Sequence, residues 1–289
     1  MIQNLVSINS ILARRNQHMT EFSYDNIEKS IDVLHLNLSI AELAKLSEEN
    51  SLTTDQMAAF DLLLEHLREK KIQTTINTLL KMSRLPLKNP KTFDNFDFSI
   101  VKGKDIDRLK ALPSLAAIHA HKNLAFIGPA GIGKTHLAQA FGYECCQHGL
   151  KTYFIKMSEL RDKFTSARRN GKEASVLNGL VRPSCLIIDE VGHCEFDKEN
   201  TRLFFDLIDR RYNKEGSYNI IFTSNKNPSQ WRNIFNEDDA LLCALDRIFD
   251  DATVFTIRGE SFRGRKLDRV ALQIGKPTKK DASSSTAAD

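Results

Sequence analysis

The sequence predicts an α/β fold in which helices cover both faces of a five-stranded parallel sheet, with a small helical domain ahead of it. Five short apolar runs alternate with helical patterns in the second half of the chain, at residues 124–127, 153–155, 185–188, 220–223 and 253–257. Parallel strands need crossover connections, and these bury both faces of the sheet. The region upstream has amphipathic helical spacing without such runs, which indicates a separate helical unit.

Composition and charge narrow the class of protein. The 289 residues carry 41 Lys and Arg against 37 Asp and Glu, with 41% hydrophobic residues. This excludes a wholly disordered chain, and no run approaches the roughly 18 apolar residues of a membrane span. Residues 1–16 lack a secretory pattern, so we expect a cytoplasmic protein without membrane contact. The five cysteines are odd in number and form no C-x-x-C pair, which predicts reduced, structural thiols.

Five segments are predicted along the chain. Residues 1–31 are read as a loose extension and residues 32–84 as the small helical domain. In that domain one helix runs from Asp32 through Leu46, and Thr53 with Gln56 forms a capping box that opens a long second helix. Residues 85–122 are a linker with a lead-in helix at about 105–121, residues 123–265 are the sheet domain, and residues 266–289 are mostly disordered.

The most specific motif follows the first apolar run. It fits the pattern G-x-x-x-x-G-K-[ST] and leads directly into a helical stretch. Glycines let such a loop turn its backbone N–H groups toward phosphate oxygens, and the helix presents its positive end to the same anion. The motif therefore predicts ATP binding by Gly128, Pro129, Ala130, Gly131, Ile132, Gly133, Lys134 and Thr135.

Two residues of this loop have individual roles. Lys134 is expected to reach the β- and γ-phosphates, and Thr135 to bind Mg²⁺ through its hydroxyl group. Mg²⁺ is a hard cation that prefers oxygen ligands, so a hydroxyl group is a suitable donor.

An acidic pair ends the third apolar run, where Asp189 and Glu190 follow Cys185–Ile188. Asp189 is predicted to bind nucleotide and Mg²⁺ with Thr135, as in a Walker B motif, and Glu190 to polarise water for attack on the γ-phosphate. The adjacent glutamate favours hydrolysis over kinase chemistry. The alternative is an apolar strand that ends in two solvated acids.

A polar residue follows the fourth run. Asn225 comes after Ile220–Ser224 and is predicted to hold the attacking water together with Glu190. The alternative is that Asn225 only begins the Asn-Lys-Asn-Pro turn.

With these motifs in hand, residues 34–264 resemble the IstB-like transposition helper ATPases. This family is a branch of the AAA+ superfamily of P-loop NTPases, close to the DnaC-type helicase loaders and DnaA-type initiators. The resemblance rests on several motifs in order: Arg84-Leu85-Pro86, residues 92–98, GPAGIGKTHLA (128–138), LIIDEVG (186–192), Arg211-Tyr212, FTSN (222–225), Trp231, ALDRI (244–248) and GESFR (259–263).

The resemblance implies catalytic roles beyond the loop. Arg247 is expected to be an arginine finger that reaches the nucleotide of a neighbouring subunit, while Asp246-Arg247 seen alone indicates a surface ion pair instead. Arg263 is expected to sense nucleotide or to contact DNA. The chain departs from the family at Phe262, where a tyrosine is common, and at Phe249-Asp250, where histidines are common.

The resemblance also implies duplex DNA as a partner. The stretch 157–172 carries five Lys and Arg against two acidic residues. It is expected to track phosphates, or else to be an ordinary solvated helix face. A second cluster, Arg210, Arg211 and Lys214, suits ion pairing as well as DNA contact. The candidate DNA-binding residues are Arg161, Lys163, Arg168, Arg169, Lys172 and Arg263.

The function expected from the resemblance is an ATP-dependent, DNA-binding homo-oligomer. It would assist a transposase of the same mobile element in choosing or using target DNA, with DNA-stimulated ATP hydrolysis controlling assembly. The alternative is a DnaC-like loader of a replicative helicase. A third class, a small-molecule kinase with a P-loop, is disfavoured by Glu190, Asn225 and Arg247.

Overall fold

The protein is described by a computed structural model that covers residues 22–235, 245–259 and 261. The first described elements are three helices, α1 (Tyr24–Leu34), α2 (Ile40–Glu49) and α3 (Thr54–Met82). They enclose a small core of their own, which consists of Ile27, Ile31, Leu43, Met57 and Leu64. The prediction of a small helical unit ahead of the sheet is confirmed.

The helix starts in this unit follow local side-chain chemistry. The Ser39 hydroxyl group accepts from the Glu42 backbone N–H, and the Glu42 carboxylate accepts from the Ser39 backbone N–H. Thr53 and Gln56 make the same reciprocal pair at the start of α3. Each capping box satisfies two backbone donors that have no partner inside the helix. The capping box predicted at Thr53 is therefore confirmed.

Two predictions for this unit are wrong. The expected helix from Asp32 through Leu46 is broken, because α1 ends at Leu34 and His35 adopts a left-handed conformation with φ of 57°. The expected loose extension reached residue 31, but α1 begins at Tyr24. Ile27, Ile31 and Leu34 recur at helical spacing and pack together, which is a short amphipathic pattern within the segment that was expected to be loose.

The long helix α3 connects the two parts of the molecule. Its first half packs in the core of the helical unit, and Ile76, in its second half, is buried again. The intervening residues 65–75 are exposed or half-buried. A chain reversal follows at Arg84, where φ is 62°, and the next residue, Leu85, belongs to the core of the larger unit.

The lead-in segment is less regular than expected. Instead of one helix at about 105–121, it contains α4 (Ile106–Lys110), a 3₁₀ turn (Leu112–Ser114) and α5 (Ala116–His119). Pro113 lies within the 3₁₀ turn, and Leu115 adopts a left-handed conformation with φ of 56°. Proline lacks the N–H that would continue an α-helix, which explains the break.

The larger unit is built on one parallel sheet. Its strands are β1 (Leu124–Ile127), β2 (Thr152–Lys156), β3 (Cys185–Val191), β4 (Asn219–Ser224) and β5 (Thr253–Thr256), in the spatial order β2-β3-β4-β1-β5. The connecting helices are α6 (Lys134–Gln147), α7 (Met157–Arg169), α8 (Glu173–Val181) and α9 (Lys198–Tyr212). Each of the five predicted strands is present, so the predicted fold class is confirmed.

Helices bury both faces of this sheet. One face carries side chains such as Ile127, Ile188 and Phe222, which pack with α7, α8 and α9. The opposite face carries Phe126 and Ile187, which pack with α6 and the lead-in segment. Successive side chains of a strand point to opposite faces, which explains why these runs are continuously apolar.

The strand order sets the position of the loops. Strand β4 lies between β3 and β1, and all three run in the same direction. The segments that follow these strands therefore meet at one edge of the sheet, where open α/β folds commonly bind ligands. Among the described helices, none combines the length and the apolar character needed to cross a membrane.

The domain boundaries at residues 84, 122 and 265 stay predictions. The segments 1–21 and 266–289 lie outside the described residues.

Candidate nucleotide site

The glycine-rich loop connects β1 to α6 through left-handed or otherwise unusual backbone conformations. The φ angles of Gly128, Gly131 and Gly133 are 149°, 80° and 94°. A Cβ atom on Gly128 would lie 2.1 Å from the backbone oxygen of Ile257. The loop therefore requires glycine at this position for close approach of two backbone segments.

The lysine of the motif folds back over the loop. Lys134 is the first residue of α6, and its Nζ atom donates to the backbone oxygen of Pro129 at 2.6 Å. Only 7% of Lys134 is exposed. The ammonium group thus lies beside the loop whose N–H groups are expected to surround phosphate oxygens.

The structure brings together the two residues predicted to hold Mg²⁺. The Thr135 hydroxyl group donates to Oδ1 of Asp189 at 2.8 Å, and the Thr223 hydroxyl group donates to the same oxygen. Asp189 is buried, with 1% of its surface exposed. A hydroxyl oxygen and a carboxylate oxygen on two adjacent elements form a donor set of the kind that Mg²⁺ prefers.

The candidate catalytic glutamate sits in an irregularity of β3. The pairing of β3 with β4 shifts register between Ile188 and Val191, and Glu190 has a φ of 61°. Its backbone N–H donates to the Thr223 hydroxyl group at 3.0 Å. Bulges of this kind re-aim side chains at functional sites, and a left-handed non-glycine residue is a strained conformation that the surroundings must hold.

The Glu190 side chain has a cationic neighbour. The Nζ atom of Lys156, the last residue of β2, lies 3.1 Å from Oε2 of Glu190. Hydrogen bonding to Glu190 raises the pKa of Lys156 above its usual value. The sequence analysis did not identify Lys156, because residues 156 and 190 meet only through the pairing of β2 with β3.

Asn225 lies directly after β4, as predicted. Its Nδ2 atom is 3.3 Å from Nε2 of His193. The backbone N–H of His193 donates to the backbone oxygen of Glu190 at 3.2 Å. The amide can donate only to an unprotonated Nε2 atom, so this contact requires the proton on Nδ1. His193 is a site residue that the sequence analysis missed, although a titratable side chain three residues after the acidic pair is a usable signal.

These residues surround a cleft of about 450 Å³ at the carboxyl edge of the sheet. The loop, Glu190 and Asn225 share it with side chains that the sequence analysis did not assign. The lining residues are Lys91, Ala130, Gly131, Gly133, Lys134, Thr135, His136, Gln139, Glu190, His193, Thr223, Ser224 and Asn225.

The segment 92–98 supports the loop from one side. A Cβ atom on Gly133 would lie 2.8 Å from the ring of Phe96, which also packs edge-on against His136. Nε2 of His136 is 2.9 Å from the backbone oxygen of Thr92, and burial lowers the pKa of this imidazole. In the sequence this segment is notable only for the family resemblance, and in the structure it packs on the nucleotide loop.

Arg247 lies away from this cleft, in the segment 245–249. Its Nη1 atom is 2.7 Å from Oδ1 of Asp209, and its guanidinium group lies over the rings of Phe205 and Tyr212 at 5.5 and 5.9 Å. The alternative of a surface ion pair is therefore present in the structure, with Asp209 as the partner in place of Asp246.

A second cavity, of about 330 Å³, lies next to Arg247. It includes Asn123, which precedes β1, and Ile220, near the start of β4. It is therefore at the edge of the sheet opposite to the nucleotide cleft, and Arg247 cannot act on the nucleotide of its own chain from there.

The candidate DNA-binding residues differ in how they are engaged. Arg161 pairs with Asp162 at 2.8 Å and Arg168 with Asp197 at 2.9 Å. Within the part of the chain that the structure describes, Lys163, Arg169 and Lys172 make no ion pair. Arg263 lies outside the described residues.

The second basic cluster does not form a DNA surface. Arg211 is 1% exposed, and its guanidinium group donates to five backbone oxygens, those of Leu180, Val181, Pro183, Ser184 and Asn219. Burial lowers its pKa to about 10, so it is still charged at neutral pH. Arg210 pairs with Asp206, and Lys214 donates to two carbonyl oxygens, so this cluster has a structural role.

Proteins with similar sequences are named as ATP-binding proteins of insertion sequences. An ATP-binding protein of insertion sequence IS5376 from Geobacillus stearothermophilus is 38% identical over 207 residues, covering 72% of this chain and 80% of that protein. A second, from insertion sequence IS21 of Pseudomonas aeruginosa, is 34% identical over 66% of this chain and 70% of that protein.

Solved structures with similar folds include AMPPCP-bound DnaA from Aquifex aeolicus, with a TM-score of 0.49, 22% identity, and coverage of 60% of this chain and 51% of that chain. The DnaC helicase loader has a TM-score of 0.48, 19% identity, and coverage of 58% and 97%. The family model described as IstB-like ATP binding protein matches residues 28–269. The chain therefore belongs to the family of IstB-like ATP-binding proteins associated with insertion sequences.

Proposed function

We propose that this protein is an ATP-hydrolysing, DNA-binding oligomer that assists a transposase in using target DNA. The observation that carries the proposal is the group formed by Thr135, Asp189 and Glu190. A hydroxyl group and a buried carboxylate lie in contact next to the nucleotide loop, and a second carboxylate lines the same cleft. This is the set of groups needed to hold a metal-bound nucleotide and to polarise water.

Each residue has a defined role in the proposed hydrolysis. The loop N–H groups and Lys134 bind the phosphates, while Thr135 and Asp189 hold Mg²⁺, which would neutralise charge on the phosphate oxygens. Glu190 takes up a proton from the attacking water, and Asn225 orients that water with its amide group. Nothing in this arrangement requires an acceptor hydroxyl group from a second substrate, which favours hydrolysis over phosphoryl transfer to a metabolite.

The position of Arg247 supports assembly. A finger residue at the edge opposite to the cleft completes an active site only when a second subunit presents its cleft to it. Its charge stabilises phosphate oxygens most strongly in an interface that excludes water. We therefore propose a homo-oligomer in which hydrolysis depends on contact between subunits.

The partners follow from the family membership. Relatives are named as insertion sequence proteins, which favours a transposase of the same element as partner over a replicative helicase. Duplex DNA is the proposed second partner, contacted by Lys163, Arg169 and Lys172 and, to the extent that their ion pairs open, by Arg161 and Arg168. Arg263 is proposed to sense nucleotide or to contact DNA.

The experiment that tests this proposal measures phosphate release with and without duplex DNA. We expect turnover that DNA stimulates, with no phosphorylated acceptor. Lys134→Ala should abolish binding of a fluorescent nucleotide, and Glu190→Gln should bind it while turnover falls about 100-fold or more. Wild-type turnover in Glu190→Gln would show that another residue positions the water, and a phosphorylated small molecule would overturn the proposal.

A further inference from the structure

The most basic part of the described chain is not the stretch 157–172. Residues 68–91, in the second half of α3 and the loop after it, contain seven Lys and Arg and a single acidic residue, Glu69. Two of the seven are paired, Arg68 with Glu65 and Arg84 with Glu159. The remaining five are exposed, and within the described residues none of them is within salt-bridge distance of a carboxylate: Lys70, Lys71, Lys81, Lys88 and Lys91.

The helix presents three of these lysines on its outer side. Lys70 and Lys81 are eleven residues apart, which is about three turns and about 16 Å, so they project in nearly the same direction. Lys71 adds a third charge next to Lys70. The opposite side of the same half of α3 carries Ile76, which is buried against the larger unit. The lysines therefore point away from the protein.

The surroundings of these lysines indicate the kind of partner. The side chains between them on the outer side are exposed and polar, namely Thr74, Asn77 and Thr78. Stable interfaces with another protein centre on apolar or aromatic side chains that become buried, and none lies among these three polar residues. The exposed Leu67 and Met82 lie at the two ends of the lysine group. A duplex carries one negative charge per about 1.7 Å, so roughly nine phosphates lie along the 16 Å that separate Lys70 from Lys81.

The half of α3 that carries the lysines is held in place at both ends. The capping box at Thr53 fixes the start of α3, Leu64 anchors its first half and Ile76 its second half. The charges are thus held on a helix that is packed on both sides of the exposed segment. In α7, by contrast, two of the arginines already have carboxylate partners.

We propose that the outer side of α3, defined by Lys70, Lys71 and Lys81, is a binding surface for the phosphate backbone of duplex DNA. The proposal rests on the proposed function, because it locates the DNA partner on the protein. Lys88 and Lys91 follow in the loop after α3, and Lys91 lines the nucleotide cleft. Binding of this kind positions the duplex without reading its sequence.

The test is the salt dependence of DNA binding. The affinity of the full chain with ATP for a fluorescein-labelled 40-bp duplex is measured by anisotropy at several salt concentrations between 50 and 200 mM. The variant Lys70→Gln/Lys71→Gln/Lys81→Gln should bind at least tenfold more weakly. The slope of log K against log salt should fall by about 2.7, since each lost phosphate contact removes about 0.9.

Two matched variants keep the test specific. Lys102→Gln/Lys104→Gln/Lys110→Gln removes the same charge from exposed lysines near α4 and should leave the slope within about 0.5 of the wild-type slope. The triple Lys→Arg variant at positions 70, 71 and 81 keeps the charge and should bind as the wild type does. Nucleotide affinity and thermal unfolding of each variant verify that it is folded.

The outcomes separate this proposal from the proposed function. If the wild-type protein binds duplex DNA and the α3 triple variant has the same slope of log K against log salt, the α3 surface alone is overturned. If the α3 variant is unchanged and the slope is lower in Lys163→Gln/Arg169→Gln/Lys172→Gln, the DNA binds at α7 instead. An equal loss in the control variant shows that only net charge matters and overturns the proposal. A wild-type protein that binds no DNA overturns both proposals.

Discussion

The Nζ atom of Lys156 lies 3.1 Å from Oε2 of Glu190, so the last residue of β2 holds the carboxylate that is proposed to polarise water. Lys156 is also the residue that precedes α7, the helix with the candidate DNA-binding residues. In this conformation the ion pair competes with the attacking water for Glu190. Loss of this ion pair would release the carboxylate.

This relationship predicts the effect of removing the lysine. Lys156→Gln should raise basal ATP turnover about two- to fivefold, because a cation no longer holds the carboxylate of Glu190. A factor of two to five corresponds to about 0.4–1 kcal/mol, which lies within the range for an exposed ion pair. Turnover is measured by phosphate release, with Lys151→Gln, just before the same strand, as the control. A fall in basal turnover would show that Lys156 supports hydrolysis directly.

Gly128 predicts a steric effect at the start of the nucleotide loop. A Cβ atom at this position would lie 2.1 Å from a backbone oxygen, so Gly128→Ala should lower the free energy of unfolding by about 1–3 kcal/mol and weaken nucleotide binding at least tenfold. Urea unfolding and a fluorescent-nucleotide titration measure the two effects.

Gly103→Ala is the matched control for this variant. Gly103 has a similar φ of 156°, but no atom lies within 4 Å of its added Cβ. Gly103→Ala therefore has the same unfavourable backbone conformation as Gly128→Ala, but its Cβ atom does not clash with a neighbouring atom. Equal losses in both variants would show that backbone conformation alone explains the need for glycine.

The buried guanidinium group predicts a large difference between two adjacent arginines. Arg211→Met leaves five backbone oxygens without their donor and should lower the free energy of unfolding by about 3 kcal/mol or more. Arg210→Met removes an exposed pair with Asp206 and should cost about 1 kcal/mol or less. Denaturant unfolding compares the two, and similar losses would contradict the structural role of Arg211.

Arg210 is exposed and Arg211 is buried, and this difference cannot be predicted from the sequence. The fold class and the nucleotide loop were predictable, because each depends on contiguous patterns: apolar runs for the strands and a fixed spacing for residues 128–135. Arg210 and Arg211 look alike in the sequence, and only the packing of α9 decides which one is buried. The pair of Lys156 and Glu190 depends on strand order, which no local pattern encodes.

The register shift at Glu190 is a further example. The sequence predicted that a carboxylate would follow the strand, but not that its backbone would be left-handed with its N–H bonded to Thr223. The first helix was missed for a different reason. Ile27, Ile31 and Leu34 recur at helical spacing over only two turns, and their burial depends on α2 and α3, which pack against them only in the folded chain.

Arg247 predicts complementation between inactive subunits. Arg247→Ala and Lys134→Ala should each be inactive, because one lacks the finger and the other cannot bind nucleotide. A 1:1 mixture should regain activity, up to about a quarter of the wild-type level, since some interfaces combine an intact cleft with an intact finger. Phosphate release from the mixture measures this. No recovery at any mixing ratio would show that Arg247 does not act on a neighbouring subunit and that its role is limited to its pair with Asp209.

The proposed function requires that ATP drives assembly of this protein on duplex DNA. Sedimentation of the Glu190→Gln variant with ATP, on duplex DNA and on single strands of equal length, tests this requirement, with Lys134→Ala as the control that cannot bind nucleotide. We expect large assemblies that form with ATP on the duplex and are absent without nucleotide. A preference for single strands would favour helicase loading instead, and no assembly on either DNA would overturn the proposed function.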